Sequence, residues 1–159
     1  MSNDKIIIYQ LLPRLYGNRN TTRKENGSIS DNGCGKFNDL TASVLNSIWQ
    51  KGATHVWFTG VIRHATKTDY SAQGIPVNHP AIVKGNAGSP YAITDYYDVD
   101  PDLAEDVDSR MAEFEALVER AHKSRLGVII DFVPNHVARQ YVSLCKPKGV
   151  RDLGADDNQ

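Results

Sequence analysis

Gly127-Val-Ile-Ile-Asp131-Phe-Val-Pro134-Asn135-His136 is the stretch that decides the fold. It begins as an apolar, β-branched run, which is typical of a strand buried on both faces, and Pro134 ends that strand because proline cannot donate to a ladder. Asp131, Asn135 and His136 therefore lie at the carboxyl end of a strand, where parallel α/β proteins place their sites. The alternative for Asp131 is a structural aspartate that caps the next turn. Its two polar companions favour a binding or catalytic site.

Length and composition set the broad class. The chain has 159 residues and a formal net charge of -1, which predicts one domain, or part of one, and gives no indication of a nucleic-acid or anionic-membrane partner. The sequence shows no signal peptide and no membrane span, so we expect a cytoplasmic protein. Cys34 and Cys145 lie far apart and outside any CxxC pair, and we expect two free thiols.

The apolar patterns alternate between strands and helices. Continuous β-branched or aromatic runs predict three strands, at residues 5–12, 54–59 and 127–133. Helical spacing predicts a first helix that begins at Asn38 or Asp39 and ends at Gly52, and a second that begins at Asp106 or Asp108. This order predicts a parallel sheet with helices outside it, an α/β fold.

Two connections lack a regular period. Residues 17–38 are rich in Gly, Asn, Ser and Thr and are interpreted as a mobile surface loop. Residues 60–90 form a connection long enough to be either functional or disordered. His64 and His79 in this connection are interpreted as exposed loop histidines, whereas His55 is interpreted as a packed strand residue.

The segment from Ser89 to Pro101 is dense in aromatic and acidic residues. Sugars stack their C–H faces on aromatic rings and exchange hydrogen bonds with acids and amides. The segment therefore suits a sugar, although Tyr-Tyr-Asp sequences also pack against ordinary loops.

Four motifs resemble, in order, those of the α-amylase family of glycoside hydrolases. They are Tyr9–Arg14, Trp57–Gly60, Tyr91–Tyr97 and Asp131–His136, and together they cover nearly the whole chain. The resemblance implies a (β/α)8 TIM barrel. Residues 1–136 would form its N-terminal part, three βα-type repeats with a long active-site loop at 60–90, and residues 137–159 would start the domain inserted after the third strand. It also implies retaining hydrolysis of α-glucosidic bonds in starch or maltooligosaccharides.

The resemblance assigns roles to four residues. Tyr91 would stack on the sugar at the cleavage subsite, and His136 would hydrogen-bond the primary hydroxyl of that sugar. Asp131 would orient an arginine near the nucleophile, and Asn135 would ligate a structural calcium ion. The sequence departs from the family at Pro90 and Ala92, and at Gly60, where the family usually has proline.

The resemblance also implies that the catalytic carboxylates come from strands beyond this chain, so we expect the 159-residue chain alone to be inactive. Two alternatives stay open. One is a non-catalytic carbohydrate-binding or assembly module derived from the barrel, and the other is a metal-dependent hydrolase that uses Asp131 and His136 with a loop histidine. The expected partner is an α-glucan or oligosaccharide. Exposed sheet edges predict that the chain self-associates, binds a complementary fragment or packs its inner face against its own long loops.

Overall fold

The computed structural model describes residues 5–154. Residues 1–4 of the predicted barrel part (1–136) and residues 155–159 of the predicted inserted domain (137–159) lie outside the described residues. Three parallel strands form the main sheet: β1 (Ile8–Leu11), β2 (His55–Phe58) and β5 (Gly127–Ile130), with β2 in the centre. The predicted parallel sheet is confirmed. Within the described residues no helix follows β5, so a third complete repeat stays a prediction.

Two longer helices cover one face of this sheet. Helix α3 (Ala42–Gln50) begins after Thr41, whose side chain accepts from the Val44 backbone N–H, so the predicted start at Asn38 or Asp39 is wrong. The reason is that residues 37–39 form a separate 3-10 turn before the helix. Helix α4 (Arg110–Lys123) begins after Ser109, so the predicted start at Asp106 or Asp108 is wrong. Asp106 instead caps the 3-10 turn Val107–Ser109 that precedes the helix.

The predicted surface loop at 17–38 has more structure than its composition suggests. It contains the short helix α2 (Ile29–Asn32), which follows α1 (Pro13–Tyr16), and α2 has a capping box between Ser28 and Asp31. Phe37, at its end, is fully buried and its ring centre lies 5.5 Å from that of Phe114 in α4. This end of the segment therefore belongs to the hydrophobic core and not to the surface.

The core lies between the helices and the sheet. Val56 and Phe58, on the covered face of β2, are fully buried. The remaining fully buried core residues come from the turn before α3, the two helices and the connections around them: Leu40, Leu45, Ile48, Leu103, Leu117 and Ala121. The helices therefore cover the face of the sheet that carries Val56 and Phe58, and the opposite face carries no helix.

That other face, called the inner face, consists of alternate residues at two register positions: Ile8, His55 and Gly127 at one, and Gln10, Trp57 and Ile129 at the other. His55 lies over Gly127, where a Cβ atom would meet its ring at 2.4 Å. This agrees with the prediction of a packed strand residue. Strand β5 is half-buried and Ile130 at its end is 40% exposed, so the expectation that this strand is buried on both faces is wrong for the described residues. In the first predicted strand, Ile6 is 65% and Ile8 48% exposed.

A second sheet lies in and after the connection that was predicted to have no regular structure. Strand β3 (Ile62–His64) pairs antiparallel with β4 (Ile93–Val99), and the register shifts twice along β3. The other short elements of this region are the 3-10 turns Ser71–Gln73, Pro80–Ile82 and Pro101–Leu103. The long connection between β2 and α4 is thus partly a hairpin-like sheet placed at the carboxyl end of β2.

Candidate functional site

The carboxyl end of the main sheet carries a row of hydrogen-bonded polar side chains. Gln10 Nε2 donates to Thr59 Oγ1 at 2.9 Å. The indole Nε1 of Trp57 donates to Asp131 Oδ1 at 2.7 Å, and the backbone N–H of Gly60 donates to Asp131 Oδ2 at 3.1 Å. Asp131 follows β5 directly instead of lying within it, so the predicted strand 127–133 ends earlier, at Ile130. Its carboxylate is partnered, as a half-buried acid requires.

Tyr91 and Asp131 line the same cleft. This cleft, called the Tyr91 cleft, has a volume of about 350 Å³ and is lined by Ile8, Trp57, Tyr91, Ile129, Ile130, Asp131, Phe132 and Val133. Tyr91 is 45% exposed. An accessible aromatic ring in the same cleft as a fixed carboxylate offers a stacking surface and a hydrogen-bond acceptor, two groups that suit a pyranose ring.

Asn135 and His136 line a different cleft. This second cleft, called the His136 cleft, has a volume of about 500 Å³ and contains Tyr96, Tyr97, Phe132, Tyr141 and Asp152 among its lining residues. His136 Nδ1 lies 2.8 Å from Asn135 Oδ1. Phe132 lines both clefts and is 71% exposed. The structure therefore brings Tyr91 together with Asp131 and separates them from Asn135 and His136.

Tyr96 in β4 holds the segment that carries these residues. Its hydroxyl donates to the carbonyl oxygen of Val133 and lies 3.4 Å from the carbonyl oxygen of His136. Its ring centre lies 5.6 Å from that of Phe132 and 5.9 Å from that of Tyr141. The aromatic residues that the sequence assigned to sugar binding thus also have a structural role.

Two acids of the same segment are buried among arginines. Asp95 is fully buried and accepts from Arg63 Nη2 at 3.2 Å and from Ser143 Oγ at 2.6 Å. Asp98 accepts from Arg110 Nε at 2.7 Å and Nη2 at 2.9 Å. The Arg63 Nε, which makes no hydrogen bond, lies 3.5 Å from Asp98 Oδ2. Since arginines compensate the charges of Asp95 and Asp98, these two carboxylates are structural groups and are not available to a sugar.

A second buried cluster forms where α1 approaches the turn after β4. Arg14 contacts Asp100 at 3.2 Å and also pairs with Asp102, which accepts from Tyr70 Oη at 2.7 Å. Burial raises the pKa of Asp100 above its ordinary value, against the opposing charges of His64 and Arg14. Although burial acts in the opposite direction, the charge and hydrogen bonds of Arg14 lower the pKa of Asp102.

His64 belongs to this cluster. It is 5% exposed, its Nδ1 lies 3.1 Å from the carbonyl oxygen of Ile62, and its Nε2 lies 3.7 Å from Asp100 Oδ2. The prediction of an exposed loop histidine is therefore wrong for His64, because the unrecognised strand β3 carries it into the interior. His79 is exposed, as predicted. The sequence signal that was available was the dense run of acids between Asp95 and Asp102, since buried acids require basic partners.

The structure does not support a transition-metal site at the predicted residues. Among residues 5–154 the one group of three His, Cys, Asp or Glu side chains within metal-binding reach is Asp95, Asp98 and Cys145. The two acids of this group are already bound by arginines, and neither Asp131 nor His136 belongs to it. The alternative of a metal-dependent hydrolase built from Asp131, His136 and a loop histidine thus lacks its ligand cluster in the part of the chain described.

Comparison with known proteins gives one family. The family model described as "Alpha amylase, catalytic domain" matches residues 11–147. Maltase 1 of Drosophila virilis is 24% identical over 151 residues, which are 95% of this chain and 18% of that protein. Alpha-glucosidase of Culex pipiens is 33% identical over 51 residues, 32% of this chain and 8% of that protein. The chain therefore spans a fifth or less of the length of these two relatives.

Solved structures show the same fold. The noncanonic maltogenic alpha-amylase AmyB of Thermotoga neapolitana aligns with a TM-score of 0.56 at 27% identity, over 86% of this chain and 25% of that chain. The trehalose-6-phosphate hydrolase of Bacillus licheniformis aligns with a TM-score of 0.53 at 24% identity, over 86% of this chain and 18% of that chain. No helix in the described part of this chain is both long and apolar enough to cross a bilayer.

Proposed function

The chain belongs to the α-amylase family of glycoside hydrolases, and from this we propose that it is the N-terminal part of a (β/α)8-barrel enzyme that cleaves α-glucosidic bonds in starch or maltooligosaccharides with retention of configuration. The observation that carries the proposal is the pairing of an accessible Tyr91 with a fixed Asp131 at the carboxyl end of a parallel sheet. In barrels this end is where substrates bind.

The Tyr91 cleft supports binding of one sugar ring. Tyr91 stacks on the ring, and Asp131 contributes negative charge beside it or orients an arginine from another part of the enzyme. His136 reaches the primary hydroxyl of that sugar only if the segment that carries it turns from its own cleft toward the Tyr91 cleft. Substrate binding by Tyr91, Asp131 and His136 thus remains our proposal, with Tyr91 and Asp131 as the pair that already shares a cleft.

We propose that the 159-residue chain does not hydrolyse α-glucans by itself. Retaining hydrolysis needs two carboxyl groups about 5 Å apart, one as nucleophile and one as acid and base. Among the described residues, Asp131 is the one carboxylate that lines the Tyr91 cleft. A chromogenic maltooligosaccharide incubated with the purified chain tests this point, and turnover that follows the protein through an additional purification step would overturn it.

The second candidate function is a non-catalytic carbohydrate-binding or assembly module. It is favoured by the same cleft, which has a stacking surface without the catalytic pair, and by the strand edges. Strands β1 and β5 each pair with β2 alone, which leaves one edge of each unpaired within the described residues. Unpaired edges with exposed apolar residues promote association. Light scattering over a hundredfold range of concentration distinguishes self-association from a monomer.

Calcium at Asn135 is a proposal for the whole enzyme. Calcium takes six to eight oxygen ligands. In the described residues the Asn135 amide oxygen contacts His136, and Asp152, which lines the same cleft, accepts from Ser143 and Lys146. These residues do not form a calcium site by themselves, so further oxygen ligands are required. We expect calcium to leave the melting temperature of this chain unchanged.

A further inference from the structure

We propose that Trp57 and Gly60 form a two-donor cradle that positions Asp131 in the Tyr91 cleft. The inference rests on the proposed function of that cleft, and it adds two positioning residues to it. Neither of them was assigned a role from the sequence.

The register of the sheet brings the three residues together. Trp57 pairs with Ile129, so Asp131, two residues beyond Ile129 and directly after β5, continues the inner face. The indole N–H of Trp57 donates to one carboxylate oxygen of Asp131 at 2.7 Å, and the Gly60 N–H donates to the other at 3.1 Å. The two donors come from β2 and from the turn that follows it, and together they fix the plane of the carboxylate.

Both donors are neutral. The indole N–H can only donate, and a backbone N–H carries no net charge. They orient Asp131 without compensating its charge, in contrast to the arginines that surround Asp95 and Asp98. A carboxylate has about four acceptor positions, so two remain for a ligand hydroxyl or a cationic group. The cradle therefore presents an oriented negative charge to the cleft.

Gly60 contributes through its departure from the family pattern. Its φ is +75°, a left-handed conformation that favours glycine, and a Cβ atom there would lie 2.9 Å from the Cβ of Pro90. A proline at this position would have no N–H and could not donate to Asp131. The glycine thus supplies a backbone donor to the aspartate.

The test is a 1H–15N correlation spectrum, which shows the indole N–H of the two tryptophans and the backbone N–H of Gly60 separately. In Asp131→Asn the amide group accepts with one atom only and carries no charge. We expect both the Trp57 indole and the Gly60 amide resonances to move upfield, while the indole of Trp49, on α3, keeps its position. If neither resonance of the cradle moves, the proposal is wrong.

Trp57→Phe removes the indole donor and leaves an aromatic ring, and Trp49→Phe is the matched control. We expect Trp57→Phe to shift the Gly60 amide, because the carboxylate loses one of its two anchors, and Trp49→Phe to leave it in place. If Trp57→Phe does not fold, the spectrum of Asp131→Asn decides alone.

Titration with maltotriose separates the cradle from the function. Because the Trp57 indole donates to a charged carboxylate, the loss of this hydrogen bond should weaken maltotriose binding about tenfold in Trp57→Phe relative to Trp49→Phe. If the unsubstituted chain does not bind maltotriose but the resonances move as expected, the proposed function fails and the cradle stands. If the chain binds maltotriose and Asp131→Asn moves neither resonance, the cradle fails and the function stands.

Discussion

Replacing Asp95 by asparagine should cost this chain a large part of its stability. The fully buried carboxylate accepts from Arg63 Nη2 at 3.2 Å, Ser143 Oγ at 2.6 Å, the Tyr97 N–H at 2.9 Å and the Leu144 N–H at 2.8 Å. Each oxygen receives two of these donors, so in either orientation the amide group of asparagine faces two donors. Breaking a buried charge pair on one side costs about 3–5 kcal/mol.

Urea unfolding followed by circular dichroism measures the loss. With a slope of about 2 kcal/mol per molar urea, the midpoint should fall by about 1.5–2.5 M. Asp69→Asn is the matched control, because Asp69 is exposed and its acceptor role toward the Ser71 N–H at 2.8 Å is one that asparagine can fill. We expect the control to stay within about 0.5 kcal/mol of the original chain. A midpoint for Asp95→Asn within about 0.5 M of that of Asp69→Asn would refute the reasoning.

Three further predictions follow from burial and charge. Phe37→Ala should cost about 3–5 kcal/mol because the ring is fully buried, whereas Phe132→Ala, at a ring 71% exposed, should change the urea midpoint little. Burial raises the pKa of the Cys34 thiol to about 11. A maleimide at pH 7.5 should therefore label the exposed Cys145 first, as mass spectrometry of a time course would show. Equal labelling rates of the two cysteines would contradict this. Hydrogen bonds from Lys24 and from Ser28 lower the pKa of Asp31 to about 2. The stabilisation that the ionised carboxylate provides should therefore persist at pH 4 and disappear as the pH falls through this lowered pKa. A carboxyl titration by NMR that gives an ordinary pKa for Asp31 would contradict this.

The main sheet could be predicted because its strands are apolar runs bounded by Pro and Gly, and the two longer helices because their apolar residues recur at helical spacing. The second sheet could not be predicted in the same way. Strand β3 is three residues long and contains Arg63 and His64, and its partner β4 begins about thirty residues later. Charged residues become interior groups only when partners such as Asp95 are brought to them, and a local pattern does not show such pairing.

The start of α3 shows a similar limit. Asn38, Asp39 and Thr41 are all good caps, and the sequence pattern does not choose among them. The choice is made by Phe37, whose burial requires the 3-10 turn before the helix. A tertiary contact therefore decides a local boundary.

The position of Asp131 at the carboxyl end of a strand followed from the sequence alone, but its partners did not. Trp57 is its donor because β2 and β5 are neighbours with a particular register. The sequence also grouped Asp131 with Asn135 and His136, which are close to it along the chain. In the structure these two residues line the other cleft, because Tyr96 holds the carbonyl groups of Val133 and His136.

The most direct test of the account is a titration of the 15N-labelled chain with maltotriose, in which the same sample is analysed for released glucose. We predict that the resonances of Tyr91 and of the Trp57 indole shift with saturation, that those of α4 do not, and that no glucose forms. Absence of any shift up to millimolar maltotriose would contradict the proposed sugar site, and release of glucose by the pure chain would contradict the claim that catalysis needs carboxylates from outside it.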